Sequence, residues 1–332
     1  MAWNLLNAAC YRHSFSKLIL FLSLIGLIAC GEDDSSPAPD EIAEPDAILL
    51  EILEIVENNS VNRLNIDWEA FREEVLEVSE SVDREAAIRR LLTLLGDNHS
   101  FYEKASGEFV GPESFDFFCS VENVSISPSP ESYGYVKVSG FDGNNGGDEF
   151  AENIQASISE QSAMHPDQWV VDLTENGGGN MWPMIAGLGP FYENETLGYF
   201  IDPLEQEVPW GYDNGSSWLG NLDQQVNSVA TPFQFDAAPK VAVVFDNTTA
   251  SSGEATLISF IGRPNTRIFG LASCGLSTAN SGFLISNGDL LILTVSTMAD
   301  RNKSLYGGQV IPDETFDDAD ALQARILEWL GE

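Results

Sequence analysis

Basic residues are scarce in this chain. Five lysines and ten arginines stand against 52 acidic residues among 332, a formal net charge of −37 at pH 7. Phosphate binding needs a basic face, and no lysine–arginine cluster is present to make one, so nucleic acid is not an expected partner. An acidic excess of this size keeps a protein soluble and repels anionic surfaces. Histidine is rarer still, with only His13, His99 and His165. The four cysteines show no zinc-type spacing. No metal or cofactor is implied. Long apolar runs are missing too: the stretch from Leu18 to Ala29 is shorter than the roughly 20 residues that cross a bilayer.

That short run has another use. Arg12 and Lys17 precede it without an acid, and it closes on Leu27-Ile28-Ala29-Cys30, a basic start, an apolar middle and a small-residue cleavage site. The ending resembles a bacterial lipobox, in which the cysteine thiol is diacylated and the preceding peptide removed. Residues 1–29 are therefore expected to be a lipoprotein signal peptide and Cys30 the lipidated residue. The expected location is the cell envelope, anchored by lipid to a bacterial membrane and facing the periplasm or the surface. Residues 30–44 are polar, acidic and proline-bearing, which suits a flexible tether and no core. Beyond it, Cys119 and Cys274 would share an oxidising compartment. They form either a disulfide or two buried free thiols.

From residue 45 to 95 the pattern is helical, within an expected N-terminal helical domain at 45–102. Ile48, Leu49, Ile52, Leu53 and Val56 recur at three-and-four spacing. Asp67 is placed to cap a helix carrying Trp68, Phe71, Val75 and Val78, and Asp83 one carrying Ala87, Ile88, Leu91, Leu92 and Leu95, with Gly96 as its stop. These predict a small N-terminal helical domain. Residues 133–330 alternate short β-branched or aromatic runs with helical or glycine-rich stretches, the mark of an α/β body. Expected strands are 133–138, 169–173, 241–245 and 290–295, with helices at 148–162, 251–261 and 318–330. The stretch 191–238, rich in Trp, Tyr, Pro, Gly and Asn, is expected to be a long ordered excursion of the kind that often lines a site.

Four segments hold residue types suited to chemistry. Val170-Val171-Asp172 runs as an apolar strand into Leu173-Thr174-Glu175-Asn176-Gly177-Gly178-Gly179. Glycines there let backbone N–H groups point into a cavity and hold a developing oxyanion, although a permissive turn would read the same way. Asn247-Thr248-Thr249-Ala250-Ser251-Ser252-Gly253-Glu254 follows the strand at 241–245 and opens a helix. A nucleophilic serine fits a helix N-terminus, and so does a plain capping box made by Ser251 and Glu254. Gly96-Asp97-Asn98-His99-Ser100 lies just past a helix end and holds the candidate histidine base, since His165 sits in a polar turn. Gly307-Gly308-Gln309-Val310-Ile311-Pro312-Asp313 is by itself a loop.

Taken in order, these segments resemble the carboxyl-terminal processing, or tail-specific, peptidases and their tricorn-core and retinoid-binding-protein relatives. Asp97-Asn98-His99-Ser100 is similar to the family's Asp-Gly-His-Thr segment, and Gly134-Tyr135-Val136 to its Gly-Tyr-Ile strand. Asp172 to Gly179 is similar to Asp-Leu-Arg-x-Asn-x-Gly-Gly, with Thr174 in the arginine's place. Thr249 to Glu254 is similar to Thr-Ala-Ser-x-x-Glu, and Gly308 to Asp313 to Gly-x-x-Pro-Asp. The resemblance spans about residues 45 to 330.

What it implies is a ClpP/crotonase-like spiral of ββα units forming a serine peptidase core at 103–332, acting on polypeptides. Ser251 would be the nucleophile and His99 the general base, with Gly178, Gly179 and Ser252 N–H groups as the oxyanion hole. Two departures qualify it. Where bacterial tail-specific members place a lysine base, after Gly270 to Gly275, this chain has Leu276. No PDZ domain fits between Tyr102 and Tyr133. Both departures point to the histidine-using, tricorn-like branch. The group that would orient His99 stays open among Ser100, Asp300, Asp313 and Glu314, the family's acid position falling on Ile311. Two other functions use the same fold or residues: a non-catalytic module binding small apolar ligands, with 191–238 lining its pocket, and a hydrolase of non-peptide acyl groups.

Overall fold

The computed structural model describes residues 46–114, 119, 126–129, 131–143, 145–316 and 318–331. Cys30, the signal segment and the tether lie outside the described residues. No helix among those described is long and apolar enough to cross a membrane.

Three helices open the described chain, α1 (Ala47–Asn59), α2 (Trp68–Ser81) and α3 (Arg84–Leu95). Each begins on an aspartate whose carboxylate accepts first-turn N–H groups, Asp46, Asp67 and Asp83, which otherwise have no partner. Gly96 ends α3 in a left-handed conformation at φ 65°, where a side chain would be strained. Leu49, Ile52, Leu53, Val56, Phe71, Val75, Ile88, Leu91 and Leu95 are buried together, but their core is shared with Tyr102, Val110, Ile285, Leu291 and Leu293. The helices thus complete their burial on strands from both ends of the chain.

The rest is the mixed α/β body expected from the sequence. Its strands are β1 (Phe101–Glu103), β2 (Phe109–Val110), β3 (Gly134–Lys137), β4 (Gln168–Asp172), β5 (Glu195–Ile201), β6 (Glu207–Asp213), β7 (Ser216–Leu219), β8 (Gln225–Ser228), β9 (Lys240–Phe245), β10 (Thr266–Gly270), β11 (Thr278–Leu284), β12 (Leu290–Asp300) and β13 (Glu314–Thr315). Its helices are α4 (Gly147–Ser162), α5 (Met181–Gly187), α6 (Ser252–Ile258) and α7 (Ala319–Gly331). One sheet has the order β13-β10-β9-β4-β3, parallel throughout. Its strands are apolar on both faces: Trp169, Val171, Val241, Val243 and Phe245 enter the main core, while Val170, Ala242, Val244 and Phe269 meet Leu322, Ile326 and Trp329 of α7. A sheet covered on both sides needs such continuous runs.

The second sheet is antiparallel, β2-β1-β12-β5-β6-β7-β8, with β11 also paired to β12. Strands β5 to β8 are the excursion at 191–238. Part of it, Val229 to Thr231 and Phe233, lines a cavity against Glu152, Gln155, Ala156 and Ser159 of α4. Trp210 and Tyr212 are fully buried in the main core and Trp218 nearly so, because two-sided packing takes the large rings inside. Strand β12 runs to Asp300, past the expected end at 295, because its second half pairs with β5 from Thr297 to Asp300.

Candidate active site

Parallel neighbours bring the first two segments together. Strands β4 and β9 pair in register from Gln168↔Lys240 to Asp172↔Val244, so the loops that leave their C-terminal ends emerge side by side. That is where open α/β sheets place ligands. Backbone bonds join the two loops: Leu173 N–H to Val244 carbonyl at 2.8 Å and Ala250 N–H to Asn176 carbonyl at 3.0 Å. The Thr249 hydroxyl adds a bond to the Leu173 carbonyl at 2.9 Å. Contact is tight at Gly178, where a Cβ would lie 2.8 Å from the Ala250 carbonyl oxygen and 2.9 Å from Ser251 Cβ. Only glycine fits there, and its φ of 101° also favours glycine.

Ser251 stands on the turn between β9 and α6 with φ 53° and ψ −116°. A non-glycine residue at such angles costs about 1–3 kcal/mol and persists only where its surroundings hold it. Here they do. Asp246 accepts the Thr248 N–H at 3.0 Å, the Cys274 N–H donates to the Thr249 carbonyl at 2.9 Å, and the Ser251 N–H donates to Glu254 Oε2 at 2.9 Å. Glu254 thus makes the helix-capping contact expected from spacing, while the Ser251 hydroxyl is turned toward His99, Oγ to Nε2 at 3.0 Å.

His99 arrives from the link between α3 and β1. Asp97 Oδ1 accepts the N–H groups of His99 at 2.9 Å and Ser100 at 2.7 Å, a local turn favoured by aspartate. Asn98 takes the left-handed conformation that asparagine tolerates, φ 54°. The Ser100 hydroxyl donates to Asp97 at 2.7 Å and accepts the Thr294 N–H at 2.9 Å, fastening the turn to β12. Asn280 of β11 donates to the His99 carbonyl at 3.1 Å.

None of the four groups left open from sequence touches the imidazole. Ser100 is spent on Asp97 and Thr294. Asp300 bonds the Asn302 and Ser304 N–H groups and Tyr306. Asp313 bonds the Ile268 N–H, and Glu314 pairs with Arg267 and Arg325. Ile311 is exposed. The partner is Thr278 at the start of β11, its Oγ1 2.7 Å from His99 Nδ1. Sequence reasoning missed it because a lone threonine 179 residues away carries no local signal. Burial pushes the imidazole down from 6.5 to about 4.

The expected donors divide. The Gly178 N–H is already given to Asn176 Oδ1 at 3.1 Å, so the three-donor set foreseen from sequence is reduced by one in this structure. The Ser252 N–H lies 3.0 Å from where a Gly178 Cβ would be, and the Ser252 hydroxyl donates to the Gly179 carbonyl at 2.7 Å. Glu254 is fully buried; desolvation raises its carboxyl to about 7 despite bonds from Ser273, Gly275 and Ser251 that favour the charge.

No lysine of the described chain is offered to Ser251. Lys104 pairs with Glu85 and Glu108, Lys137 with Glu175, and Lys303 with Glu207. Lys240 donates to the Trp329 carbonyl at 2.6 Å. Leu276, in the segment where tail-specific members carry lysine, is buried against Ala250 and Cys274. Cys274 is linked to Cys119 by a disulfide. Among the described residues no group of three or more His, Cys, Asp or Glu side chains is placed to hold a metal ion.

The family model described as Peptidase family S41 matches residues 132–316, more than half of the chain. This chain belongs to peptidase family S41. Membership makes it a serine-type peptidase by descent. The S41 chain is 27% identical over 247 residues to the nisin-resistance protein of Lactococcus lactis subsp. lactis, covering 73% of this chain and 72% of the relative. Two solved structures share its fold. A lipoprotein from Streptococcus agalactiae superposes with a TM-score of 0.68 at 21% identity, over 89% of this chain and 99% of that one. The photosystem II D1 C-terminal processing protease superposes with a TM-score of 0.55 at 14% identity, over 84% and 96%.

Proposed function

We propose that this S41 chain is an envelope serine endopeptidase that cleaves peptide bonds through an acyl-enzyme on Ser251. The observation that carries the reading is the 3.0 Å approach of Ser251 Oγ to His99 Nε2, within the reach a general base needs. As Ser251 Oγ bonds to the scissile carbonyl carbon, its proton passes to His99 Nε2. The carbonyl oxygen becomes an oxyanion held by the Gly179 and Ser252 N–H groups. Collapse breaks the C–N bond, and His99 returns its proton to the leaving amine. Water, deprotonated by the same imidazole, then releases the acyl group. The strained Ser251 turn keeps Oγ in place for both halves of the cycle.

Export and anchoring at Cys30 complete the proposal. Detergent partition of expressed protein, abolished by Cys30→Ser, is the expected sign, and a mature chain starting elsewhere would remove the anchor from the account. The name of the Lactococcus relative makes nisin the first compound to offer as substrate, beside a broad peptide mixture. The decisive experiment is a fluorophosphonate label on purified protein, mapped by mass spectrometry. Label on Ser251 and cleavage of peptides support the reading. Label on Ser251 with cleavage of esters alone would favour the non-peptide acyl hydrolase, and no label or hydrolysis of any kind would favour a ligand-binding module.

A further inference from the structure

The geometry points to Thr278 as the positioning residue of this site: its hydroxyl accepts Nδ1–H of His99 and turns the lone pair of Nε2 toward Ser251. The inference rests on the peptidase reading for its consequence, but the contact stands without it. Thr278 Oγ1 is 2.7 Å from Nδ1 while Ser251 Oγ is 3.0 Å from Nε2, so both ring nitrogens are engaged from opposite sides. A neutral imidazole carries one proton. If that proton were on Nε2, His99 would donate to Ser251 and could not take its proton. Activation of Ser251 therefore requires Nδ1–H, and Thr278 is its partner.

The fold supplies Thr278 for this purpose with some care. It is the first residue of β11 and pairs with Thr297 of β12, and the ladder is irregular at the next step, between Ala279 and Asn280. Such a bulge re-aims neighbouring side chains. Beyond it, Asn280 holds the His99 carbonyl and accepts the Thr294 hydroxyl at 2.9 Å. One short strand thus grips both the ring and the backbone of His99.

A hydroxyl orients without adding charge, and this has a consequence for acidity. Among the described residues, the titratable groups tied to the site by hydrogen bonds are Asp97 on the loop of His99 and Glu254 beyond Ser251. Asp97 is turned to the N–H groups of His99 and Ser100 and to the Ser100 hydroxyl, and Glu254 to Ser251, Ser273 and Gly275. Strands β11 and β12 present Thr278, Asn280 and Thr294, none of them charged. Among the described residues nothing offsets burial, and the imidazole sits near 4. A carboxylate in the place of Thr278 would raise it. The base of this site therefore stays unprotonated well into the acidic range.

The test uses the purified wild-type chain, Thr278→Val and Thr278→Ser. Loss of one neutral hydrogen bond to the ring should lower kcat of Thr278→Val roughly fivefold with KM little changed. Thr278→Ser should restore most of it. The acid limb of wild-type kcat/KM should lie near pH 4, and nitrogen-15 spectra of the imidazole at neutral pH should show the proton of His99 on Nδ1. A Thr278→Val protein with wild-type kcat, an acid limb at 6.5, or a proton on Nε2 would overturn the inference. Should Thr278→Val fail to fold, the wild-type spectrum and pH profile decide. Absence of all hydrolysis and labelling in wild type would remove the peptidase reading instead, and the tautomer would still settle whether Thr278 accepts from Nδ1.

Discussion

Glu254 sits beneath Ser251 and holds it by the backbone: Oε2 accepts the Ser251 N–H at 2.9 Å, while Oε1 accepts the Gly275 N–H at 2.9 Å and the Ser273 hydroxyl. One buried carboxyl thereby joins the Ser251 turn to the 271–277 loop that leads into Thr278. Two effects oppose each other on it. Burial disfavours the charge, donors on Ser273, Gly275, Ser251 and Leu276 favour it, and burial prevails, leaving the group near 7.

A folded value raised above the ordinary 4.5 gives a stabilisation that is full below 4.5 and lost as pH rises through about 7. His99 works the other way, because its depressed value gives stabilisation present above 6.5 and lost as pH falls through about 4. In Glu254→Gln only the second remains. Its urea midpoint should climb between pH 4.5 and 6.5 more steeply than that of wild type, whatever its absolute level. Parallel curves for the two proteins would show that Glu254 does not titrate in this window.

For the nucleophile, Ser251→Ala should abolish fluorophosphonate labelling with the circular dichroism spectrum unchanged. Ser252→Ala loses only a hydroxyl bonded to the Gly179 carbonyl and keeps its N–H, so much of the labelling should survive. Persistent label without Ser251 would sink the assignment.

For the base, His99→Ala should lower kcat by about 10²- to 10⁴-fold, the usual contribution of a positioned general base. Lys104, Lys137, Lys240 and Lys303, each changed singly to methionine, should leave hydrolysis within a few-fold of wild type, since each is engaged away from Ser251. A profile over pH 3.5 to 9 for every variant makes the comparison. An active His99→Ala beside an inactive lysine variant would transfer the role to that lysine.

Removing the Cys119–Cys274 bond, which closes a loop of 155 residues, should cost about 2–5 kcal/mol of folding stability. Cys119→Ser is the better variant because Cys274 is fully buried. Its rate of labelling at Ser251 should also fall, since the Cys274 N–H holds the Thr249 carbonyl at 2.9 Å. Equal urea midpoints for the variant and the oxidised wild type would show that the bond contributes nothing to stability.

Local pattern was enough to determine much of this protein. The aspartates at 67 and 83 cap helices because their carboxylates reach N–H groups three residues on. Gly96 ends one because it alone adopts φ 65° without strain. Largely apolar runs at 169–173 and 241–245 announced strands, and glycine and serine segments after them marked where chemistry could sit. Each of these is an interaction within a few residues, or a matter of composition, and so is written in the order of the chain. Tertiary structure decided the rest. It set His99 against Ser251 across 152 residues, supplied Thr278 as the partner of the ring in place of Ser100, Asp300, Asp313 or Glu314, and gave the Gly178 N–H to Asn176. It also buried Glu254 until its carboxyl titrates near 7 and folded Trp210 and Tyr212 into the core. Side-chain partners so far apart in sequence, and the loss of water around them, exist only once the two sheets and the helical unit have packed.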